Sequence, residues 1–231
     1  MKIKIADEAA YLTAICGLAL SVAMIAASGF GVSMIVAPAY VLSRKFTALT
    51  FGQMEYVVQG VLFILFCILM GGFRTVYLGS FVNCLIYGAV LDFWRCAVPV
   101  LNPALTPPGS LPLLPRILLF AAGLLLTAVS VSAFYNTYLY PQVYDFFVRG
   151  VSGRFGIRRL KFKLCFDLAC LGIATVLTLC FFGKFVGVGI GTVITACTMG
   201  FLIEFFCGIY KKYLIFEPHF KEFAKKFVLK L

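Results

Sequence analysis

Charged residues are scarce in this chain of 231 amino acids. Asp, Glu, Lys and Arg make up 13% of it and hydrophobic residues 62%, whereas soluble domains carry roughly 25% charged residues. So few charges cannot cover the surface of a water-soluble fold, which excludes a soluble enzyme. Disorder is excluded as well, because aromatic residues account for 16% of the chain and disordered segments contain few of them. The composition indicates a polytopic membrane protein.

Histidine and closely paired cysteines are also lacking. The single histidine, His219, lies in the C-terminal tail, so zinc sites built on histidine and Ser-His-Asp triads are excluded within the membrane. The nine cysteines include no C-x-x-C pair, and eight of them fall in apolar runs, where free Cys packs as a small hydrophobic residue. We therefore expect no metal, no cofactor and no enzymatic activity. We expect no nucleic-acid partner either, because the basic residues lie between and after apolar segments.

Six apolar stretches are long enough to cross a membrane as helices. About 20 apolar residues span the hydrocarbon layer, and the predicted spans are residues 9–29, 54–71, 74–94, 116–135, 163–183 and 185–210. With the N-terminus inside, 15 of the 20 Lys and Arg residues lie in inner segments and five in outer loops. Because basic residues favour the cytoplasmic side, we predict a multi-pass cell-membrane protein with both termini cytoplasmic.

Glycine and acidic residues recur in the same order in the two halves of the chain. The matched positions are Gly17-Leu18 with Gly123-Leu124, Gly79 with Gly191, Gly88 with Gly200, and Asp92 with Glu204. Each half holds three predicted spans, and an odd number inserts the second half upside down relative to the first. The sequence thus predicts an all-α membrane protein of six transmembrane helices arranged as two inverted three-helix repeats. Repeats of this kind recur in secondary transporters, with sites at the repeat interface.

The repeats divide the chain into four segments. These are a first three-span repeat at 1–98, a Pro-rich outer loop at 99–115, a second three-span repeat at 116–210, and a cytoplasmic tail at 211–231. In the tail, Phe220, Phe223, Phe227 and Leu231 recur at helical spacing with lysines between them. This pattern predicts a basic amphipathic helix that lies on the membrane and favours anionic lipid. A frayed tail is the alternative.

The first helix of each half is followed by residues that break helices. Glycines and a proline interrupt the segment 29–38, and Asn, Thr and a proline interrupt the segment 134–141. Non-helical backbone at membrane depth must face protein or water. One interpretation is a polar cavity near mid-membrane between the halves, lined by Ser33, Asn136 and Thr137. The other is a pair of ordinary helix ends, each followed by a short interfacial helix.

Ionisable residues inside predicted spans are candidate functional groups, because a charge in lipid is costly. Glu55 begins the second span together with Gln53, and its repeat mate is Arg159, so we predict a pair between the halves. Asp167 lies inside the fifth span, and its local alternative is an ion pair with Lys163 four residues earlier. The candidate substrate-binding set is Ser33, Gln53, Glu55, Asn136, Thr137 and Asp167.

The glycine-rich stretch FGKFVGVGIGT at residues 182–192, which continues to Gly200 and Glu204, resembles the YitT/YczE-type family of bacterial integral membrane proteins. Gly17-Leu18, Pro38 and Phe51-Gly52 are similar to that family's first half, whereas Tyr77 and Ser80 stand where more glycine is expected. The resemblance covers most of residues 10–210. By analogy, the resemblance implies an inner-membrane protein that transports a small solute. It supplies no catalytic residues.

These observations favour a small-solute secondary transporter in which the two repeats alternate access to a central site. One alternative is a substrate-binding membrane subunit of an energy-coupled uptake system, with the stripe Ala19, Ala23 and Ala27 as its docking face. Packing between helices is the other explanation for that stripe. A third class is a non-transporting scaffold or assembly factor. Expected partners are the lipid bilayer, anionic lipid at the tail and an unidentified small solute, and a homo-oligomer is left open.

Overall fold

The computed structural model describes residues 3–74, 77–139 and 142–218. Within these ranges the chain forms eight α-helices and two short strands: β1 (Ile3–Ala6), α1 (Asp7–Ser28), α2 (Ala37–Lys45), α3 (Phe51–Leu69), α4 (Leu78–Ala97), α5 (Leu113–Asn136), α6 (Val143–Arg154), α7 (Arg159–Phe182), α8 (Ile190–Tyr213) and β2 (Leu214–Glu217). The predicted helical class is confirmed. The amphipathic helix predicted from Phe220 onward lies outside the described residues.

Five of these helices are long and apolar enough to cross a membrane. They are α1, α3, α5, α7 and α8, with 19 to 24 residues each, which corresponds to roughly 28–36 Å at 1.5 Å per residue. The outer faces of α7 and α8 carry large apolar side chains such as Leu160 and Phe201, which are 79% and 78% exposed. Helices of this length and surface identify a membrane protein. The third predicted span, 74–94, overlaps α4, which is not one of these five helices and carries Asp92 and Arg95 toward its C-terminal end.

Helix α1 is the most buried of the five spans and packs along α5. Their contacts join residues whose numbers rise in one helix and fall in the other. Tyr11 meets Phe134 edge to face at 5.4 Å, and Phe30, just beyond the end of α1, meets Phe120 at 5.9 Å. The two helices therefore run antiparallel. Apolar and small side chains fill the space between them, and this contact forms the centre of the main core.

Helices α4 and α8 pack against opposite members of this central pair. Helix α4 lies on α1 and α8 lies on α5. In the second contact Ser132 Oγ donates a hydrogen bond of 2.9 Å to the Ile203 carbonyl, and Gly191 lies against Phe120. In both contacts the residue of α8 follows the residue of α5 by 71 positions. Residue numbers therefore rise in the same direction along the two helices, so α5 and α8 run parallel.

Each long first helix is followed by a short helix that is packed inside the protein. Helix α2 lies between α3 and α7, and α6 likewise lies between α7 and α3. The first turns of α2 and most of α6 are buried. The predicted helix interruptions are therefore present, but these short helices pack within the protein rather than on its surface. A buried apolar side is what an α-helix needs in order to be stable at nine or twelve residues.

The two ends of the helical region meet in a small parallel sheet that the sequence analysis did not predict. Strand β1 pairs with β2 in the register Lys4 to Ile215, and Lys4 Nζ lies 2.9 Å from Glu217 Oε1. Because β1 leads into α1 and β2 follows α8, the start of α1 and the end of α8 lie at the same end of the molecule. The segment predicted to be a tail from 211 thus begins with the last turn of α8 and β2.

Candidate functional site

Glu55 is fully buried near the start of α3, with 0% of its surface exposed. The helix begins with a capping box, in which Thr50 Oγ1 accepts from the Gln53 backbone N–H and the Gln53 side chain accepts from the Thr50 backbone N–H. This cap fixes the start of the helix at Phe51 and turns Glu55 toward α4 and α6. Gln53 itself is exposed and acts as a helix cap, so the structure does not place it with Glu55.

The Glu55 carboxylate is held by groups from two helices. Its Oε2 accepts hydrogen bonds from Gln59 Nε2 at 2.9 Å and from the Tyr144 hydroxyl at 3.1 Å. Its backbone carbonyl lies 3.9 Å from Cys84 Sγ in α4. Tyr87, 1% exposed, lies on the same face of α4 as Cys84, near Glu55 and Gln142. We call Glu55, Gln59, Cys84, Tyr87, Gln142 and Tyr144 the Glu55 cluster.

The Glu55 cluster joins the two halves of the chain. Helices α3 and α4 belong to the first half, whereas Tyr144 and Gln142 come from α6 and the residue before it in the second half. Glu55 Oε1 and Gln59 Oε1 are buried, and no described residue supplies a hydrogen bond to either of them. A buried polar atom without a partner is uncommon in folded proteins and calls for a ligand, a proton or a water. The arrangement can therefore bind a donor or a positive charge.

The charge of Glu55 has no protein counterpart in the part of the chain that the structure describes. The three ion pairs found there join Lys4 to Glu217 and Lys163 to both Asp145 and Asp167. The pairing predicted between Glu55 and Arg159 is not formed in this structure, since Glu55 bonds to Gln59 and Tyr144 while Arg159 starts α7 as an exposed residue. An ionised carboxylate in such surroundings is costly to keep.

Asp167 belongs to a separate ion-pair network between α6 and α7. Lys163 Nζ lies 3.7 Å from Asp167 Oδ1 and 3.7 Å from Asp145 Oδ1. The local alternative from the sequence, a pair with Lys163, is therefore confirmed. Cys170, the next turn of α7, lies near both Asp167 and Tyr144, so the network borders the Glu55 cluster without sharing its hydrogen bonds.

The other three predicted site residues lie at helix ends. Asn136 Nδ2 donates to the Ser132 carbonyl at 2.8 Å, and Thr137 Oγ1 donates to the Phe134 carbonyl at 3.1 Å, so both close the last turn of α5. The Ser33 carbonyl accepts from two backbone N–H groups that open α2. Because α1 and α5 are antiparallel, Ser33 and Asn136 lie at opposite ends of that pair. In this structure they do not line one common site.

The interruption after α1 is closed by backbone from the second half. Val32 N–H donates to the Gly187 carbonyl and Gly191 N–H donates to the Phe30 carbonyl, each at 2.9 Å. A Cβ atom on Gly31 would lie 2.6 Å from Thr192 Oγ1. The two glycine-rich motifs noted in the sequence therefore meet and satisfy each other's polar groups. At this place the interruption meets protein, and not the polar cavity of the first of the two interpretations.

Side chains tie each interruption to the neighbouring helix of the other half. Arg116 Nε donates to the Ser28 carbonyl at 2.7 Å, and its guanidinium lies 4.4 Å from the centre of the Phe30 ring. After α5, the Tyr138 hydroxyl donates to Glu8 Oε1 at 2.8 Å. Burial raises the pKa of Tyr138, and the neighbouring Glu8 carboxylate raises it further. The Tyr138 hydroxyl therefore stays protonated and remains a donor at neutral pH.

The alanine stripe of α1 faces the protein interior. Ala19, Ala23 and Ala27 are 0%, 1% and 5% exposed. This burial agrees with packing between helices, and it leaves no exposed stripe for a docking partner. In this structure the stripe is therefore not available as the docking face considered for an uptake subunit.

Residues 5–208 match the model of a protein family of unknown function, DUF6198. The chain belongs to the DUF6198 family. The match includes the Glu55 cluster and the place where the glycine-rich segments after α1 and before α8 meet. It does not tie this DUF6198 protein to the YitT/YczE-type family. No curated protein matches the chain, and no solved structure matches it.

Sequence reasoning missed the partners that the DUF6198 chain places around Glu55. One of these partners, Tyr87, stands four residues after Asn83 on α4, so a polar stripe within an apolar helix was an available signal. Tyr144 carried no such signal, because it stands among other aromatic and aliphatic residues. Its hydrogen bond to Glu55 crosses 89 residues of sequence. Only the fold could bring these two residues together.

Proposed function

We propose that this DUF6198 protein is a small-solute membrane transporter whose two halves move against each other about the Glu55 cluster. The observation that most directly supports this proposal is the position of Glu55, a fully buried carboxylate at the contact between α3 and α6. Ionisable groups inside a membrane protein mark substrate and ion pathways, and transporters place such groups at the interface between their repeats. The protein acts by binding and conformational change, without chemical conversion of the solute.

The arrangement of helices supports two related halves. Each half contains a long helix, a short buried helix and two further long helices. Contacts recur in matching pairs: α1 with α4 and α5 with α8, α2 with α3 and α6 with α7, and α2 with α7 and α6 with α3. Together with the antiparallel course of α1 and α5, this pattern supports the six-span inverted repeat, with α4 as the third span. The motif resemblance to the YitT/YczE-type family is consistent with the same class.

A difference between the halves supports alternating access. Helix α3 packs tightly on α4, since a Cβ atom on Gly52 would lie 2.1 Å from the Gly88 carbonyl oxygen. In the second half, α7 and α8 correspond to α3 and α4. Helix α7 packs mainly on α2 and α6, and α8 packs mainly on α5. Inverted repeats that adopt unlike arrangements create a path open to one side, and exchange of the two arrangements opens the other side.

The proposed orientation has both termini in the cytoplasm. The β1–β2 pair brings the start of α1 and the end of α8 together, which supports an even number of crossings. The excess of Lys and Arg in the segments on that side supports the cytoplasmic assignment.

Solute flux into reconstituted vesicles tests the proposal. Purified protein in proteoliposomes is offered pools of labelled amines, carboxylates, sugars and amino acids, and hits are confirmed by ligand-dependent thermal stabilisation. We expect one chemical class to enter faster than in protein-free vesicles, and Glu55→Ala to abolish that uptake. Glu217→Gln, at the exposed ion pair with Lys4, is the control and should transport normally. Uptake that equals the protein-free rate for every pool contradicts the proposal and favours a scaffold.

A further inference from the structure

We propose that Glu55 is a proton-binding site, and that its proton is exchanged as the two halves move, so that the coupling ion of the transporter is H⁺. The coupling rests on the proposed function. The proton on Glu55 rests on the geometry of the Glu55 cluster alone. The two statements can therefore fail independently.

The hydrogen bonds of Glu55 are incomplete for an ionised carboxylate. A carboxylate offers about four acceptor positions on its two oxygens, and the described residues fill only those on Oε2, through Gln59 and Tyr144. Oε1 is buried without a donor, and so the charged form gains little there. A proton on Oε1 turns that atom into a donor. The Gln59 side chain already bonds to Glu55 through its amide nitrogen. Its amide oxygen receives no hydrogen bond from any described residue, and it is an acceptor suited to the O–H group of a protonated Glu55.

The groups that face Glu55 are neutral and supply no positive charge. Helix α4 contributes Cys84 and Tyr87, α6 contributes Tyr144, and α7 contributes Cys170 behind Tyr144. The titratable residue of α1 in this region is Tyr11, which bonds to Asn83 of α4 and not to Glu55. Lys163 is the basic residue of the adjoining network, and two carboxylates already pair with it. A buried carboxyl surrounded in this way is neutralised by a proton.

The hydrogen bond from Tyr144 links the proton site to movement of the two halves. Tyr144 comes from the second half and donates to Glu55 of the first half. When the halves move apart, this hydrogen bond is lost and water reaches the carboxyl, so the O–H bond of Glu55 breaks and the proton passes to water on the open side. When the halves move again and open the opposite side, the carboxylate takes a proton from water there. One proton crosses per cycle, and no other reactant is required.

Infrared spectroscopy of the whole protein tests the site. The carbonyl stretch of a protonated carboxylic acid is separate from the bands of carboxylates and amides, and it moves when the sample is exchanged into D₂O. At neutral pH, in sodium-free buffer, we expect wild-type protein to show this band and Glu55→Gln to lose one carboxyl equivalent of it. Glu217→Gln, whose carboxylate is exposed beside Lys4, should leave the band unchanged. An identical band in wild type and Glu55→Gln overturns the proposal.

A second variant keeps the carboxyl and covers the case in which Glu55→Gln does not fold. Tyr144→Phe removes one donor from Glu55, so the carbonyl band should shift to higher frequency without losing intensity. A band that neither shifts nor weakens overturns the assignment to Glu55. Loss of the wild-type band on addition of Na⁺ or K⁺ shows that a metal cation displaces the proton, and it overturns H⁺ as the coupling ion. A proton band together with solute uptake that a proton gradient does not drive leaves the site in place and refutes the coupling to H⁺, whereas no uptake of any solute refutes the transport function.

Discussion

The Thr127 hydroxyl oxygen lies 2.9 Å from the Ser21 hydroxyl oxygen, at the point where α5 crosses α1. The two residues are separated by 106 positions, which is also the offset that matches Gly17-Leu18 with Gly123-Leu124. In a twofold arrangement, a residue contacts its own equivalent only at the axis. This contact therefore supports a pseudo-twofold axis between Ser21 and Thr127, and the antiparallel course of the helices is what an inverted repeat requires.

Enlarging the glycines beside this crossing should separate the two central helices. A Cβ atom on Gly17 would lie 2.6 Å from Ser130 Oγ, and one on Gly123 would lie 2.8 Å from Ile25 Cγ1. We expect Gly17→Leu and Gly123→Leu each to destabilise the protein by about 1–3 kcal/mol through overpacking, read as a lower melting temperature in detergent. Gly172→Leu is the matched control, because nothing lies within 4 Å of its Cβ position. Equal melting temperatures for all three would contradict the close crossing.

The junction of glycine-rich segments predicts that a substitution at Gly31 costs more than one at a left-handed glycine in open space. Gly31 has φ +110° and its Cβ atom would lie 2.6 Å from Thr192 Oγ1, whereas Gly156 has φ +63° with open space around it. Gly156→Ala therefore carries only the cost of a left-handed backbone, about 1 kcal/mol. Gly31→Ala adds the collision with α8, so we expect a clearly larger fall in melting temperature. A similar fall for both variants would show that the junction can relax.

The helices could be predicted from the sequence because apolar runs of about 20 residues have few alternatives in a membrane protein. Helix boundaries were less accurate: α3 begins at Phe51 rather than 54, since the capping box at Thr50 and Gln53 extends it upstream. The short helices α2 and α6 were expected in only one of the two interpretations, and at the membrane interface, whereas in the structure they are buried between other helices. Glu55 was recognisable as a charge in an apolar run. Its partner Tyr144 was not, because no local pattern indicates a contact with α3.

Polar residues beside helix breaks suit two different roles. Serine, asparagine and threonine are favoured at helix ends, where their side chains and backbone satisfy groups that the helix leaves open. Asn136 and Thr137 do this at the end of α5. The same residue types suit the lining of a solute cavity, so the sequence could not separate the two roles.

The Lys163 network should contribute little stability, and that contribution should depend on salt. Its three side chains are 37%, 28% and 23% exposed, so solvent and ions screen the two contacts. We expect Lys163→Gln to lower stability by about 1 kcal/mol or less at low ionic strength. The difference from wild type should shrink at high salt. Lys161→Gln, an exposed position on the same helix, removes the same charge and should be neutral in both buffers.

Both ends of the helical region should be found on the cytoplasmic side. The β1–β2 pair and the Lys4–Glu217 ion pair hold them together. Fusions of a reporter that is active only in the cytoplasm, placed at the N-terminus and after residue 231, should both be active. A fusion in the loop between α4 and α5 should be inactive, because this loop is predicted to lie outside. One active and one inactive terminus would contradict an even number of crossings.

The state of Glu55 also predicts how two substitutions differ in stability. A neutral Glu55 and a glutamine have nearly the same shape, and Glu55→Gln keeps acceptors for Gln59 and Tyr144, so we expect it to change the free energy of unfolding by less than about 1 kcal/mol. Glu55→Ala leaves a cavity and two buried donors without an acceptor, and we expect it to cost about 2–4 kcal/mol. Thermal unfolding in detergent at neutral pH compares the three proteins. A large loss of stability in Glu55→Gln, equal to that in Glu55→Ala, would show that the fold depends on a negative charge at this position.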